Sequence, residues 1–591
     1  MNRHIRAALV ASAASVLAAS SALAQETSPN ILVVLFDDVG FTGFGAYGGD
    51  AQTPRIDALA QSGALFSRYY TSPFCGPSRA MLMTGQDNHQ TGMGTLVETV
   101  TPGQRELPGY SMIWDEGQET IASRLSQAGY RTYVSGKWGI GAKGANLPNR
   151  FGFDRSYVMD STGGSNYDHS HYLPGYPDVS WYEDGEPVRL PEDFYSSRSL
   201  VDQMIGYIDG GDPDQPFFGF LSLQAVHIPV QAPLEFIERY DGVFDAGWDV
   251  MREERWRRAI DLGLVPDTTT LAPVHEDHRA WDDLTPEEQQ IAAREMQVNA
   301  GMLEAADYHI GRLLDHLEET GQLENTIVVV TSDNGPEAGV THLDNPIADL
   351  ALDGIHLLEG YDTSPDNMGL PGSLTAIGPE WASVSASPFN LYKFYSSEGG
   401  LRVPLVIDGP GIEASGVQEG IVHVTDLMPT LLDAAGVAYD PGAIYGQSMM
   451  PLLSGETDEA RGPEDSFGVE VSGNAALYRG NWKLVRTALP RGDFTWRLFD
   501  LSVDPGETTD VADEQPELFA EMRAEYDAYS EETGVLDLSR EDYAEKQLFA
   551  NLVERTIGTY WPYLAGLLLL LLLSIVALYR LFRLMTRRRA A

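Results

Sequence analysis

Asn30-Ile31-Leu32-Val33-Val34-Leu35-Phe36 runs without a break into Asp37-Asp38-Val39-Gly40. Six apolar residues in a row after Asn30 suit a short strand buried on both faces, not one with a solvent-facing side. Thr326-Ile327-Val328-Val329-Val330-Thr331 repeats the pattern and ends in Ser332-Asp333-Asn334-Gly335. Between the two lie helical patterns such as residues 120–128 and short apolar strands at 131–135 and 217–223. The alternation predicts an α/β domain built on a large, mostly parallel sheet flanked by helices. Ligands of such sheets bind beyond the carboxyl ends of the strands. Both acidic clusters sit at such ends, about 300 residues apart in the chain.

Asp37, Asp38, Asp333 and Asn334 all carry hard oxygen ligands. Three carboxylates brought together repel one another, and a bound Ca²⁺ or Mg²⁺ resolves the repulsion. Adjacent aspartates also cap turns, so it is the repetition at a second strand end that favours the metal. Cys75, the single cysteine, stands in Phe74-Cys75-Gly76-Pro77-Ser78-Arg79, ahead of the helix-like Ala80-Met81-Leu82-Met83-Thr84-Gly85. Pro77 suits the opening of a helix, with Arg79 one turn in. A helix N-terminus beside a guanidinium favours an anion or an anionic nucleophile at Cys75. The spacing to Arg79 is a poor match to a cysteine-dependent phosphatase.

The 591 residues carry 39 Lys and Arg against 86 Asp and Glu, a formal charge of −47. The body is more acidic still, because Arg3, Arg6, Arg580, Arg583 and Arg587 to Arg589 lie at the two ends. Such a surface repels nucleic acid and anionic lipid, and it predicts a protein stabilised by salt. Hydrophobic residues at 43% are too many for a disordered chain. One cysteine excludes an intrachain disulfide. Residues 1–24, with a basic start, an apolar stretch and Ala22-Leu23-Ala24, read as a signal peptide. No charged residue lies between Arg555 and Arg580. Those residues span about 36 Å as a helix, enough to cross a bilayer, with Tyr560, Trp561 and Tyr563 at one interface and arginines on the cytoplasmic side. The expected plan is a catalytic domain over 25–464, a smaller α+β subdomain over 465–545, a polar spacer over 546–557, a transmembrane helix over 558–579 and a basic tail over 580–591. The body is expected outside the cytoplasm, in the periplasm of a Gram-negative cell. A sorting tail removed after export is the alternative for the C-terminus.

Cys75-x-Pro77-Ser78-Arg79 with Thr84-Gly85, and Gly129-Tyr130-Arg131 through Ser135-Gly136-Lys137-Trp138, resemble the two signatures of the type I sulfatases. The resemblance takes in Asp37-Asp38, Asn88-His89, Asp333-Asn334-Gly335, Lys393, Glu398-Gly399-Gly400-Leu401-Arg402 and Trp482-Lys483-Leu484-Val485-Arg486. It covers residues 30–529, and the helical stretch 281–314 is most similar to the bacterial arylsulfatase branch of this alkaline phosphatase-like superfamily. It implies a sulfuric ester hydrolase whose Cys75 is oxidised to formylglycine by a separate maturation enzyme. One hydroxyl of the hydrated aldehyde attacks sulfur and expels the alcohol; the other then eliminates sulfate. Asp37, Asp38, Asp333, Asn334 and an oxygen on modified Cys75 would hold the cation, Ca²⁺ by expectation. Arg79 would orient the hydrate, Lys137 and Lys393 would grip the sulfate, and His227 would bind sulfate or protonate the leaving oxygen. Where the family carries a histidine after Lys137-Trp138, this chain has Gly139. His89, His169 and His171 are candidate substitutes, and Asp333 or water a candidate base. The implied substrate is a sulfate monoester, aryl or carbohydrate. A phosphonate monoester or phosphodiester hydrolase, and a weakly active sulfate-ester-binding protein, are the alternatives.

Overall fold

The computed structural model describes residues 28–339 and 354–589. The expected leader, residues 1–24, and the last two residues of the basic tail lie outside the described residues. The first motif is the strand Asn30–Phe36, and it sits in the middle of a ten-stranded mixed sheet. Its parallel neighbours are Phe217–Ser222 and Thr326–Ser332, and beyond Phe217–Ser222 lie the parallel strands Arg131–Lys137 and Arg155–Asp160. Beyond Thr326–Ser332 the antiparallel strand Leu405–Asp408 is followed by Ala64–Phe66 and the edge strand Gly416–Gln418, and the other side ends in Ser180–Glu183 and Glu186–Val188, with Ser180–Glu183 antiparallel to Arg155–Asp160. The expected parallel sheet is therefore the centre of a mixed one.

Burial explains the unbroken apolar run. Alternate side chains of a strand face opposite ways, and here Leu32, Val34 and Phe36 enter one core while Ile31, Val33 and Leu35 enter another. The first core holds the helices Pro54–Ser62, Ser196–Asp209 and Pro286–Glu319; the second holds Cys75–Thr84, Ile121–Gln127 and Leu427–Ala434. Helix Pro286–Glu319 begins at Thr285, whose hydroxyl and the Glu288 carboxylate form a reciprocal capping box.

Register sets the site. Leu35 lies opposite Ser222, and Phe36 opposite Ser332. The strands thus end level, and the residues that follow them emerge side by side.

Residues 466–500 form a four-stranded antiparallel meander, Ser466–Val471, Asn474–Arg479, Trp482–Arg486 and Trp496–Asp500. One face packs on helix Pro516–Thr533 through Met522, Tyr526 and Tyr529; the other meets the main domain at Tyr70 and Leu401. A buried polar knot pins this contact. Glu398 accepts from Tyr70 (3.1 Å), Tyr478 (2.9 Å) and Lys483 (3.0 Å), and Lys483 also lies 2.8 Å from Glu507. The chain ends in one helix, Ala544–Arg589, with Pro562 inside it. The segment expected as a spacer is its first part. Its apolar stretch is long enough to cross a membrane by length and composition, and among the described residues nothing buries it.

Candidate active site

Asp37 and Asp38 follow strand Asn30–Phe36, Asp333 and Asn334 follow Thr326–Ser332, and Lys137 closes Arg131–Lys137. Cys75 opens helix Cys75–Thr84, at the positive end of its dipole. Arg79, one turn on, points back beneath it and is wholly buried. Its Nε donates to Asp333 Oδ2 (2.8 Å), and its Nη1 donates to the Lys137 carbonyl (2.9 Å) and Ser222 Oγ (2.6 Å). Lys137 Nζ donates to Asp37 Oδ2 (2.6 Å), and Lys393 Nζ donates to Asp38 Oδ2 (2.9 Å). Asp38 has φ 68°, in the left-handed region, and its backbone amide faces Asp333 Oδ1 at 3.2 Å. All the residues expected at the site converge on one place.

The charge balance is tight. Burial pushes the Asp37 carboxyl up to about 8 against the pull of Lys137, and that of Asp38 up to about 7 against Lys393. Burial alone would raise Asp333 too, but Arg79, Lys137 and Lys393 outweigh it and hold it below the ordinary range. Burial would discharge Lys393, yet Asp38 and Glu337 keep it charged. The Cys75 thiol is pushed by burial up to about 11, so it is protonated at neutral pH and ill suited to thiolate chemistry.

The donor set fits a hard divalent cation. Oxygens of Asp37 and Asp333 and the Cys75 sulfur lie within 4.8 Å of one another. Among the described residues, Asp37 Oδ1 and Asn334 Oδ1 are buried and lack hydrogen-bond partners, an expensive arrangement unless a cation takes up their lone pairs.

His227 is fixed by its Nδ1, which donates to the Ile228 carbonyl (2.6 Å). Nε2 therefore faces the site, 3.8 Å from Asp38 and 3.4 Å from Glu337. Burial, with Lys137 and Lys393, keeps the imidazole neutral. Glu337 also pairs with Lys393 at 3.2 Å. Sequence reading passed over it, although it lies three residues beyond Asn334. Ser222 was missed as well; only the strand register shows that it lies opposite Gly136, with its hydroxyl on the Lys137 carbonyl.

Gly139 has φ 62°, and a Cβ there would come 3.2 Å from Lys137 Cε. The three candidate substitutes for the absent histidine fare differently. His89 is locked between Asp87 and Glu470, and His169 is held by the Val179 carbonyl. His171 shares a pocket of about 170 Å³ with Gly139, Glu98, Lys143, Tyr176 and Arg555. Burial pushes it down to about 4, so it is neutral and offers a weak base. Glu98 lines the same pocket, and among the described residues one of its carboxylate oxygens is buried and without a hydrogen-bond partner. Nothing in the sequence singled it out.

The sequence model of the Sulfatase family matches residues 29–437, and that of N-sulphoglucosamine sulphohydrolase, C-terminal, matches 390–531. The chain belongs to the sulfatase family. An arylsulfatase of Klebsiella aerogenes is 35% identical over 76% of this chain and 95% of its own length. An uncharacterized sulfatase of Schizosaccharomyces pombe is 32% identical, covering 88% of this chain and 97% of its own. Among solved structures, Ps i-CgsB in complex with k-i-k-neocarrahexaose superposes with a TM-score of 0.61 at 23% identity, over 90% of this chain and 98% of that one, a likeness of fold. The sulfatase is thus a sulfuric ester hydrolase, and these matches favour sulfate esters over the phosphonate or phosphodiester alternative.

Proposed function

We propose that the chain is an exported, membrane-anchored arylsulfatase that works through a formylglycine made from Cys75 and a Ca²⁺ ion. The observation that carries this reading is the convergence of Cys75, at a helix N-terminus, with Asp37 and Asp333 on one side and Arg79, Lys137 and Lys393 on the other. Oxidised and hydrated, Cys75 supplies two hydroxyls on one carbon, one to attack sulfur and one to release sulfate. Asp37, Asp38, Asp333 and Asn334 would hold the cation, which offsets negative charge on the sulfuryl oxygens. Mg²⁺ suits the same donors less well, because it keeps most of its water.

The remaining work falls to fixed side chains. Arg79 is clamped on three sides, so it holds residue 75 and Asp333 in one geometry. Lys137 and Lys393 bind sulfate oxygens, donating from positions already paired with carboxylates, so little reorganisation accompanies binding. The anionic ester offsets the two lysine charges that keep His227 neutral. A proton at Nε2 is then stabilised by Glu337 and Asp38, and from there it passes to the departing phenolate oxygen. The aryl preference follows the Klebsiella aerogenes relative and the aromatic side chains beside Gly139, where His171 stacks on Tyr176 at 4.8 Å between ring centres. The anchor rests on the uncovered apolar helix.

Turnover of nitrophenyl sulfate against the matching phosphate mono- and diesters tests the proposal, using chain co-expressed with a formylglycine-generating enzyme. Preference for sulfate, lost in Cys75→Ala, is expected. Equal product release by the variant would sink it.

A further inference from the structure

The helix that leads into the apolar span does not leave the catalytic domain as a free tether. Tyr395 bonds Glu545 at its start. Asn551 Nδ2 donates to the Glu98 carbonyl (2.6 Å), and the Arg555 guanidinium lies 4.4 Å over the Tyr176 ring. Thr559 Oγ1 donates to the Gly175 carbonyl (3.3 Å), and the Tyr560 hydroxyl bonds Glu359, whose Oε1 also accepts from the Gly175 amide (2.9 Å). These contacts run over some 22 Å of helix at 1.5 Å per residue. They continue to Tyr560, the first of the aromatic residues Tyr560, Trp561 and Tyr563 expected at the membrane interface.

A domain fastened at Tyr560 cannot stand away from the bilayer that the following residues enter. Glu359 is the residue fastened there, and Leu357 and Leu358 precede it, 74% and 72% exposed. They lie in helical residues 354–358, immediately before the Glu359 that bonds Tyr560, and Trp561 (58% exposed) and Tyr563 (73% exposed) follow Tyr560 on the helix. Trp and Tyr of this kind settle at headgroup level. Two adjacent exposed leucines are thus held through Glu359 to the point where the apolar span begins.

We propose that the start of the C-terminal helix is a rigid bracket that seats the Leu357–Leu358 edge of the catalytic domain in the outer leaflet of a phospholipid bilayer. This rests on the membrane-anchor reading above. The pocket beside Gly139 shares Tyr176 and Arg555 with the bracket, so this seating would hold that pocket close to the membrane surface. The body's negative charge makes a zwitterionic surface the fitting partner, since anionic lipid would repel it.

The full chain, reconstituted in phosphatidylcholine vesicles, tests this with an environment-sensitive fluorophore at Leu357→Cys or Leu358→Cys in a Cys75→Ser background, and at Leu262→Cys as control. Both edge sites are exposed, so either label serves if one variant folds poorly. The expected result is a blue-shifted emission at 357 and 358, quenched at least twofold by lipid carrying a spin label near the headgroup, with Leu262→Cys unaffected. Water-like emission at both sites in membrane-bound protein overturns the proposal. A blue shift that follows protein density and ignores the lipid quencher overturns it in favour of a second copy. Failure of the wild-type chain to stay with the vesicles overturns the anchor reading instead, a separate and recognisable result.

Discussion

Lys483→Met tests how the C-terminal meander is held to the catalytic domain. Lys483 donates to Glu398 at 3.0 Å and lies 2.8 Å from Glu507, and all three side chains are buried. Methionine keeps most of the volume but leaves two carboxylates facing each other, with Arg402 at 3.4 Å from Glu398 as the remaining cation. Removing one partner of a buried ion pair costs about 3–5 kcal/mol. For a body of this size melting as one unit, roughly 2 cal/mol/K per residue of unfolding entropy converts this to a fall of about 3–5 °C. The pH dependence carries a sign. Burial already pushes Glu507 up to about 7 against the pull of Lys483, while Glu398 is held low by Lys483 and Arg402 despite its burial. Without Lys483 both rise. A carboxyl with a raised folded pKa keeps its proton in the native state after the unfolded chain has released its own, so stability falls as pH climbs through that window. The deficit should therefore be larger at pH 8 than at pH 5.5. Thermal melting of variant and wild type at both pH values reads it. A loss below about 1 °C, or one equal at the two pH values, would refute the reasoning.

Arg79→Lys keeps the charge but loses the fork to Asp333, Lys137 and Ser222. Turnover of nitrophenyl sulfate should fall at least about 100-fold, as for a misplaced reacting group, and wild-type rates would contradict the positioning role. Gly139→Ala puts a Cβ at φ 62° and 3.2 Å from Lys137 Cε; a stability loss of about 1–2 kcal/mol is expected, with a lower kcat, and unchanged melting and kinetics would show the space to be idle. Chelation should abolish activity, and restoring Ca²⁺ at about 100 times its Kd should add about 2.7 kcal/mol of stability; melting indifferent to Ca²⁺ would argue against the four-ligand site. A formal charge of −47 predicts a melting temperature that rises between low salt and about 0.5 M NaCl, and a flat or falling trend would remove that expectation.

The sheet centre was legible because burial on both faces leaves an unmistakable apolar run, and the strands at 30–36 and 326–332 came out as read. The antiparallel edges were not, since strands such as Glu186–Val188 are short and half exposed and carry little pattern. The site was readable where chemistry is dense at strand ends and at the Cys75 helix. Ser222, Glu337 and Glu98 escaped because register and loop return bring them in, and none of the three has a local signature. The helix Ala544–Arg589 shows the same limit. Its polar first turns look like a spacer in sequence, and only the contacts of Asn551, Arg555 and Tyr560 show a packed element.

Cys75 has 1% of its surface exposed, at the floor of the folded site. On the reading proposed for it, a maturation enzyme has to reach that thiol before strands Asn30–Phe36 and Thr326–Ser332 close above the helix. Thr326–Ser332 is made about 250 residues after Cys75, so synthesis itself opens a window in time. Activity is then settled by a race between oxidation and folding: a chain that folds first keeps its thiol sealed in and stays permanently blank.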